Sequence, residues 1–178
     1  MVTFSLPLNI NTDFAGGLFN LEDILKNEPQ SLMLRMAGSA PIPPAMALAY
    51  WGLINHYKGK TQVIGNAFTS LETGGFLVWL GCHYQVIEPH AHIRVSSIED
   101  YINEEGDLIA RSDCYLDEIK SVHRMISKYV DVRHVVGKKL YVPQLQELGL
   151  LPSAIDDFLE GISLNTQLIG KEVLDANQ

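Results

Sequence analysis

The chain has 178 residues, of which 47% are hydrophobic and 19% charged, and its formal net charge is −8. A chain of this length forms one domain and buries roughly 70% of its unfolded surface, and the composition excludes a disordered protein. The acidic balance, without any basic stripe, argues against a nucleic-acid partner.

Compartment and membrane signals are weak throughout the sequence. The N-terminal stretch has neither a basic segment nor a long apolar segment, so we expect no signal peptide. The longest apolar run, residues 74–82, is too short to cross a bilayer. Cys82 and Cys114 form no CxxC pair, which fits a reducing compartment. We therefore expect a cytoplasmic protein that is not in the membrane.

The first half of the sequence alternates predicted strands and helices. Pro7 favours an edge position for the first strand, and Pro43 and Pro44 fit the first turn of a helix. Alternating or continuous apolar residues predict strands at 2–10, 31–37, 62–65, 84–88 and 92–96. Apolar residues three or four apart predict helices at 18–26, 45–57 and 73–82. This alternation implies parallel strand pairing, so the fold class is α/β.

The second half is more charged and more helical. Residues 98–129 are predicted to be mostly helical, with a break at Gly106 and Asp107. His123 lies on the apolar stripe of that segment, where a core or interface histidine is more common than a catalyst. A strand is predicted at 139–142 and a helix at 143–148. Residues 153–178 are predicted to be an amphipathic tail, with one apolar face formed by Ile155, Phe158, Leu159 and Ile162.

The segment 33–95 runs strand, Gly-Ser turn, Pro-started helix, strand, Gly-rich elbow, small-residue helix and strand. This order resembles the proteolytic subunit of the Clp protease (ClpP), within the wider ClpP/crotonase superfamily. The resemblance covers about residues 2–152. It implies repeated β-β-α units with a protruding handle helix, here about 98–130, followed by the tail at 153–178.

In the ClpP family an oxyanion turn follows a core strand and precedes a helix. Gly38, Ser39 and Ala40 stand in that turn here, and Gly74 stands at the start of the helix that follows the elbow. The family's second glycine donates a backbone N–H to the oxyanion. The matching positions here are near Ala40 and Pro41, and proline has no N–H to donate.

The family's nucleophilic serine lies at the start of the small-residue helix, where backbone N–H groups favour a developing anion. Counting back from Gly74 places Glu72 at that position, and counting forward from Gly65 places Thr69 there. Ser70 lies between them and fits neither register. Gly74 and Gly75 are expected to begin the helix and to pack against the turn at 38–41.

The other two triad positions are also replaced. The family's histidine falls at Ser96, and its aspartate falls near Gly137. His92 precedes the histidine position by four residues, about 13 Å along an extended strand, so we expect it to lie out of reach as a base. The resemblance therefore implies the family's scaffold without its triad at Glu72, Ser96 and Gly137.

Three functions fit these residues. The first is a non-catalytic ClpP-like pseudoprotease that forms a homo-oligomer, with heptameric rings or a catalytic ClpP-type partner subunit as candidate assemblies. The second is a serine or threonine endopeptidase that uses Ser70 or Thr69. The third is a crotonase-like acyl-thioester enzyme that uses Glu72, although a carboxylate also simply favours a helix N-terminus. The first is preferred, so no catalysis is expected.

Metal and cofactor chemistry is not expected. His90 and His92 share one strand face with Glu88 and could bind a metal, but they would need further ligands. A surface or structural role is the more common use of such a pair. No cofactor is implied by any motif.

Overall fold

The core of the protein is a parallel sheet of four strands in sequence order. The computed structural model describes residues 1–9, 11–38, 40–101 and 113–151. The strands, in the order in which they pair, are β1 (Val2–Leu8), β2 (Ser31–Gly38), β3 (Gln62–Ala67) and β4 (Tyr84–Ile87). The connecting helices are α1 (Phe14–Lys26), α2 (Pro44–His56) and α3 (Thr73–Gly81). The predicted α/β class and the edge position of Pro7 are confirmed.

All three connecting helices lie on one face of this sheet. Each connection leads to the neighbouring parallel strand, and right-handed crossovers then place every helix on the same side. In β2, Leu32, Leu34 and Met36 are 0% exposed, whereas the alternate residues Met33 and Arg35 are partly exposed. The hydrophobic core therefore fills the space between the sheet and the helices.

The first helix begins four residues earlier than predicted. Asp13 caps it by accepting a hydrogen bond of 2.9 Å from the backbone N–H of Gly16. Gly17 lies against Tyr50, since a Cβ there would be 2.5 Å from the tyrosine hydroxyl. Glycine at position 17 therefore allows the helix to approach α2 closely.

A smaller layer lies beyond the main sheet. Strand β5 (Ile93–Arg94) pairs antiparallel with β6 (Lys139–Leu140), and α5 (Val142–Glu147) follows. Helix α4 (Asp113–Ile126) packs against α2 and α3, with Ile119, Val122 and Ile126 buried. It is the described part of the predicted handle. The predicted break at Gly106 and Asp107, and the tail at 153–178, fall outside the described residues.

The helices in the described part of the chain are all too short or too polar to cross a membrane.

The two glycines that begin α3 have different neighbours. A Cβ on Gly74 would lie 2.4 Å from the backbone oxygen of Ile42, just after the turn that follows β2. A Cβ on Gly75 would instead meet the side chain of Leu71, at 3.3 Å or more. The expectation that both glycines pack against residues 38–41 was wrong for Gly75, because its side of the helix faces the elbow.

We predict that Gly74→Ala destabilises the protein by about 1–3 kcal/mol, because a backbone oxygen cannot move away as a side chain can. Gly75→Ala should be close to neutral, since Leu71 can shift slightly and alanine gains about 0.5–1 kcal/mol over glycine inside a helix. Urea unfolding of the two variants measures the difference. Equal destabilisation by both would contradict this assignment of the tight contact.

Candidate functional site

The elbow between β3 and α3 is tied to β5 by backbone hydrogen bonds. The N–H of Leu71 donates to the carbonyl of His92 at 2.9 Å, and the N–H of Arg94 donates to the carbonyl of Leu71 at 2.8 Å. Leu71 and Ile93 thereby form an isolated parallel bridge, and Leu71 is 1% exposed. This pairing places the residues on either side of Leu71 next to those on either side of Ile93.

Ser70 and His92 meet at one end of that bridge. The Ser70 Oγ lies 2.8 Å from His92 Nδ1, and the backbone N–H of His92 also donates to the Ser70 Oγ at 3.2 Å. The ring centroid of His92 is 5.4 Å from that of Tyr141. The expectation that His92 lies out of reach of a hydroxyl was therefore wrong. That expectation was based on the distance along the strand between His92 and Ser96. The elbow instead brings Ser70 next to His92.

The hydroxyl of Thr69 is hydrogen-bonded to the backbone at the end of β2. Its hydroxyl accepts a hydrogen bond of 2.7 Å from the N–H of Gly38 and donates to the carbonyl of the same residue. Gly38 has a φ of +133°, and a Cβ there would lie 2.0 Å from the backbone oxygen of Leu8. The proton of Thr69 therefore points to a carbonyl rather than to a base, which makes it a poor nucleophile.

A cleft of about 310 Å³ lies between the turn after β2, the start of α3, β5 and α4. Glu72 and Ser96, which the sequence comparison placed at the expected serine and histidine positions, both line it. Gly137 donates its N–H to the carbonyl of Val95 at 2.7 Å, so the third matched position lies beside Ser96. The full lining is Pro41, Ile42, Pro44, Glu72, Thr73, Gly74, Arg94, Ser96, Tyr115, Ile119 and Val122.

Some polar groups of the cleft make hydrogen bonds that stabilise the fold. Thr73 is 5% exposed, and its Oγ1 accepts a hydrogen bond of 2.9 Å from the N–H of Ser96. Glu72 occupies the cap position of α3, but its side chain makes no capping hydrogen bond. Its carboxylate and the guanidinium of Arg94 therefore contribute opposite charges to one lining, above a floor of apolar side chains that includes Ile119.

The turn that would supply an oxyanion hole has no spare N–H among its described residues. The N–H of Gly38 donates to Thr69, and the N–H of Ala40 donates to the carbonyl of Leu8 at 3.0 Å. Pro41 has no N–H, and Ser39 lies outside the described residues. The first turn of α3, including Gly74, is the remaining source of backbone donors at the cleft.

The remaining candidates have structural environments. His90 is exposed and stands edge-on to Phe68, with ring centroids 6.4 Å apart. In the described ranges, no group of three or more His, Cys, Asp or Glu side chains could hold a metal ion. Cys82 is 3% exposed, and burial raises the pKa of its thiol to about 12. It is therefore a core residue.

Sequence reasoning missed Arg94, Thr73 and Tyr141. Arg94 could have been found, because it lies two residues after His92 on the same face of a predicted strand. Thr73 gave no signal beyond a helix start, and Tyr141 comes near His92 only through the pairing of β5 with β6.

Comparison with known proteins identifies the fold. No protein-family profile and no curated protein sequence matches the chain. The ClpP protease catalytic domain from Plasmodium falciparum superposes with a TM-score of 0.57 at 12% identity, over 84% of this chain and 83% of that chain. A putative enoyl-CoA hydratase from Mycobacterium avium paratuberculosis K-10 gives 0.61 at 14% identity, over 92% and 69% of the two chains. The chain therefore has the ClpP/crotonase fold.

One titratable group lies beneath the cleft. His123 is 9% exposed on α4, and its Nε2 is buried without a hydrogen-bond partner in the described part of the chain. Burial lowers the pKa of His123, against weaker opposing effects of the Ser96 backbone and of Glu99. The folded protein therefore favours the neutral imidazole.

We predict that the free energy of unfolding falls on acidification through His123. In the unfolded chain its pKa is about 6.5, and the folded value is lower, so the unfolded state binds the proton first. The stability is fully present above the unfolded value and is lost as pH falls through the folded one. The slope is at most about 1.4 kcal/mol per pH unit for one proton.

Denaturant unfolding at a series of pH values from about 8 to about 5 measures this loss of stability. Histidine side chains titrate in about this range. The variant His123→Leu should show a flatter profile than the wild type. The control His134→Gln changes an exposed histidine and should keep the wild-type profile. Identical profiles for wild type and His123→Leu would contradict the assignment.

Proposed function

We propose that this chain is a ClpP-like pseudoprotease, a non-catalytic subunit that retains the fold and the cleft and acts by binding. The observation that carries the proposal is the set of residues around the cleft. Glu72, Ser96 and Gly137 stand at the positions matched to the serine, histidine and aspartate of the family. A carboxylate, a hydroxyl and a glycine cannot reproduce a nucleophile activated by an oriented imidazole.

The hydrogen bonding of the oxyanion turn also supports a non-catalytic role. Gly38 and Ala40 direct their N–H groups to Thr69 and Leu8, away from any substrate oxygen. Loss of a single oxyanion donor typically costs about 10²–10³ in rate, and loss of the triad costs more. The two defects together leave binding as the function that the cleft supports best.

The purified chain should not cleave casein or small peptide esters, and a fluorophosphonate probe should leave Ser70 unlabelled. The reason is that Ser70 is not among the residues that line the cleft, and that the N–H groups of Gly38 and Ala40 in the turn after β2 are already used in internal hydrogen bonds. Peptide release and intact-mass spectrometry measure the two results. Turnover that disappears in Ser70→Ala would contradict the proposal.

A second candidate, a serine hydrolase, is favoured by one contact. The 2.8 Å separation of Ser70 Oγ and His92 Nδ1 lies within the range required of a nucleophile and its base. In this mechanism Ser70 would attack an acyl carbon while Nδ1 accepts its proton, and the imidazolium would then pass that proton to the amine or alcohol that leaves as the acyl bond breaks. Labelling that is lost in both Ser70→Ala and His92→Gln, but kept in the control Thr69→Val, would support this candidate over the pseudoprotease.

The assembly is part of the same proposal. A homo-oligomer, including rings of seven, and a catalytic ClpP-type partner subunit are the assemblies that the family resemblance implies. The support within this chain is its hydrophobic content of 47% and exposed apolar side chains such as Phe19, at 64% exposure.

Light scattering coupled to size exclusion should therefore give a mass several times that of the 19.8 kDa chain at micromolar concentration. The physical reason is that apolar surface exposed in one copy becomes buried between copies. A mass equal to that of a monomer under these conditions would contradict the proposed oligomer. It would leave the assignment of the cleft unaffected.

A further inference from the structure

The sheet has a second face, away from the three connecting helices, which we call the outer face. It is formed by side chains that alternate with the core residues, namely Thr3, Ser5, Pro7, Met33, Arg35, Ala37, Ile64, Asn66, Tyr84 and Val86. Within the described ranges, none of the helices α1 to α3 covers it, because all of them lie on the opposite side. Most of these side chains are uncharged, and Arg35 is the exception.

Arg35 is held in place on the outer face. Its guanidinium carbon lies 3.7 Å from the centroid of the Phe68 ring, and the other side of this cluster is formed by His90, edge-on to Phe68. None of the described carboxylates lies within ion-pair distance of Arg35. A half-buried cation with a fixed orientation is therefore ready to pair with a carboxylate.

The residue opposite Arg35 on β3, Asn66, also has a side-chain atom without a hydrogen-bond partner in the described part of the chain. Asn66 is directly opposite Arg35 in register, and its Oδ1 is buried with no donor in the described part of the chain. Buried polar atoms are nearly always hydrogen-bonded in folded proteins. A cation that needs an acceptor and an amide oxygen that needs a donor thus lie side by side, bordered by apolar residues such as Met33 and Ile64.

We propose that the outer face is covered by residues 153–178 of the same chain. Their sequence has an apolar stripe at Ile155, Phe158, Leu159 and Ile162 that suits the uncharged part of this face. Carboxylates flank the stripe at Asp156, Asp157 and Glu160, and one of them pairs with Arg35. This interaction surface is separate from the cleft and does not depend on the proposed function.

Length and charge both fit this occupant. The 27 residues from 152 to 178 can extend by about 3.4 Å each, so they reach any point on a domain of this size. The same residues carry five acidic side chains, at 156, 157, 160, 172 and 175, and one basic side chain, Lys171. An acidic, amphipathic segment therefore meets a largely uncharged face with one central cation.

Limited trypsin digestion of the full-length chain tests the proposal, because Lys171 is the only trypsin site in residues 152–178. Mass spectrometry follows cleavage after Lys171. We expect cleavage at least about ten-fold slower than in a synthetic peptide of residues 153–178, since docking hides the bond except during opening. The protection should not change when the protein is diluted.

Two sets of variants locate the contact. Arg35→Met should raise the cleavage rate several-fold. The triple variant Asp156→Asn, Asp157→Asn, Glu160→Gln, which leaves the described body unchanged, should do the same. The control Arg133→Met removes an exposed arginine that pairs with Asp131, and it should have no effect.

Wild-type cleavage at the rate of the peptide would overturn the proposal, as would protection that survives in both Arg35→Met and the triple variant. Protection that disappears on dilution would show that the tail of a second copy occupies the face, and it would overturn the assignment to the same chain.

Discussion

The pairing of Leu71 with residues 92–94 is the constraint on which the site depends. Two backbone hydrogen bonds fix the elbow against β5, and the buried side chain of Leu71 anchors it in the core. Because successive side chains point to opposite sides of an extended chain, this pairing determines which residues meet. It brings Ser70 to His92, and it places Glu72 and Arg94 in the same cleft.

Polar groups around the cleft take part in hydrogen bonds within the protein. An acyl-transfer enzyme would keep hydroxyl and backbone N–H groups available for its substrate. Here such groups make hydrogen bonds within the protein. Thr69 closes the turn after β2 through Gly38, and Thr73 holds the backbone of Ser96. These bonds stabilise the same geometry that catalysis would require, but they leave few donors for a developing oxyanion.

Most of the fold could be predicted from the sequence, because local patterns carry it. The apolar strands, the prolines at the start of α2 and the paired glycines at the start of α3 each determine local structure by short-range physics. The predicted start of α1 at residue 18 was wrong, since apolar spacing does not report the cap at Asp13 or the close contact of Gly17 with Tyr50. Counting along the chain named Glu72 and Ser96 as candidate site residues, and both line one cleft.

The sequence by itself therefore determined the α/β class, the order of the elements and several candidate site residues, including Ser70, Glu72, His92 and Ser96, but not Thr73 or Arg94 of the cleft. Only the tertiary structure decided which of them meet. The contact of Ser70 with His92 spans 22 positions and depends on a single bridge, which no periodicity reports. The side of the sheet left without a helix also follows from the order of the strands, because handedness acts on the whole topology rather than on any one segment.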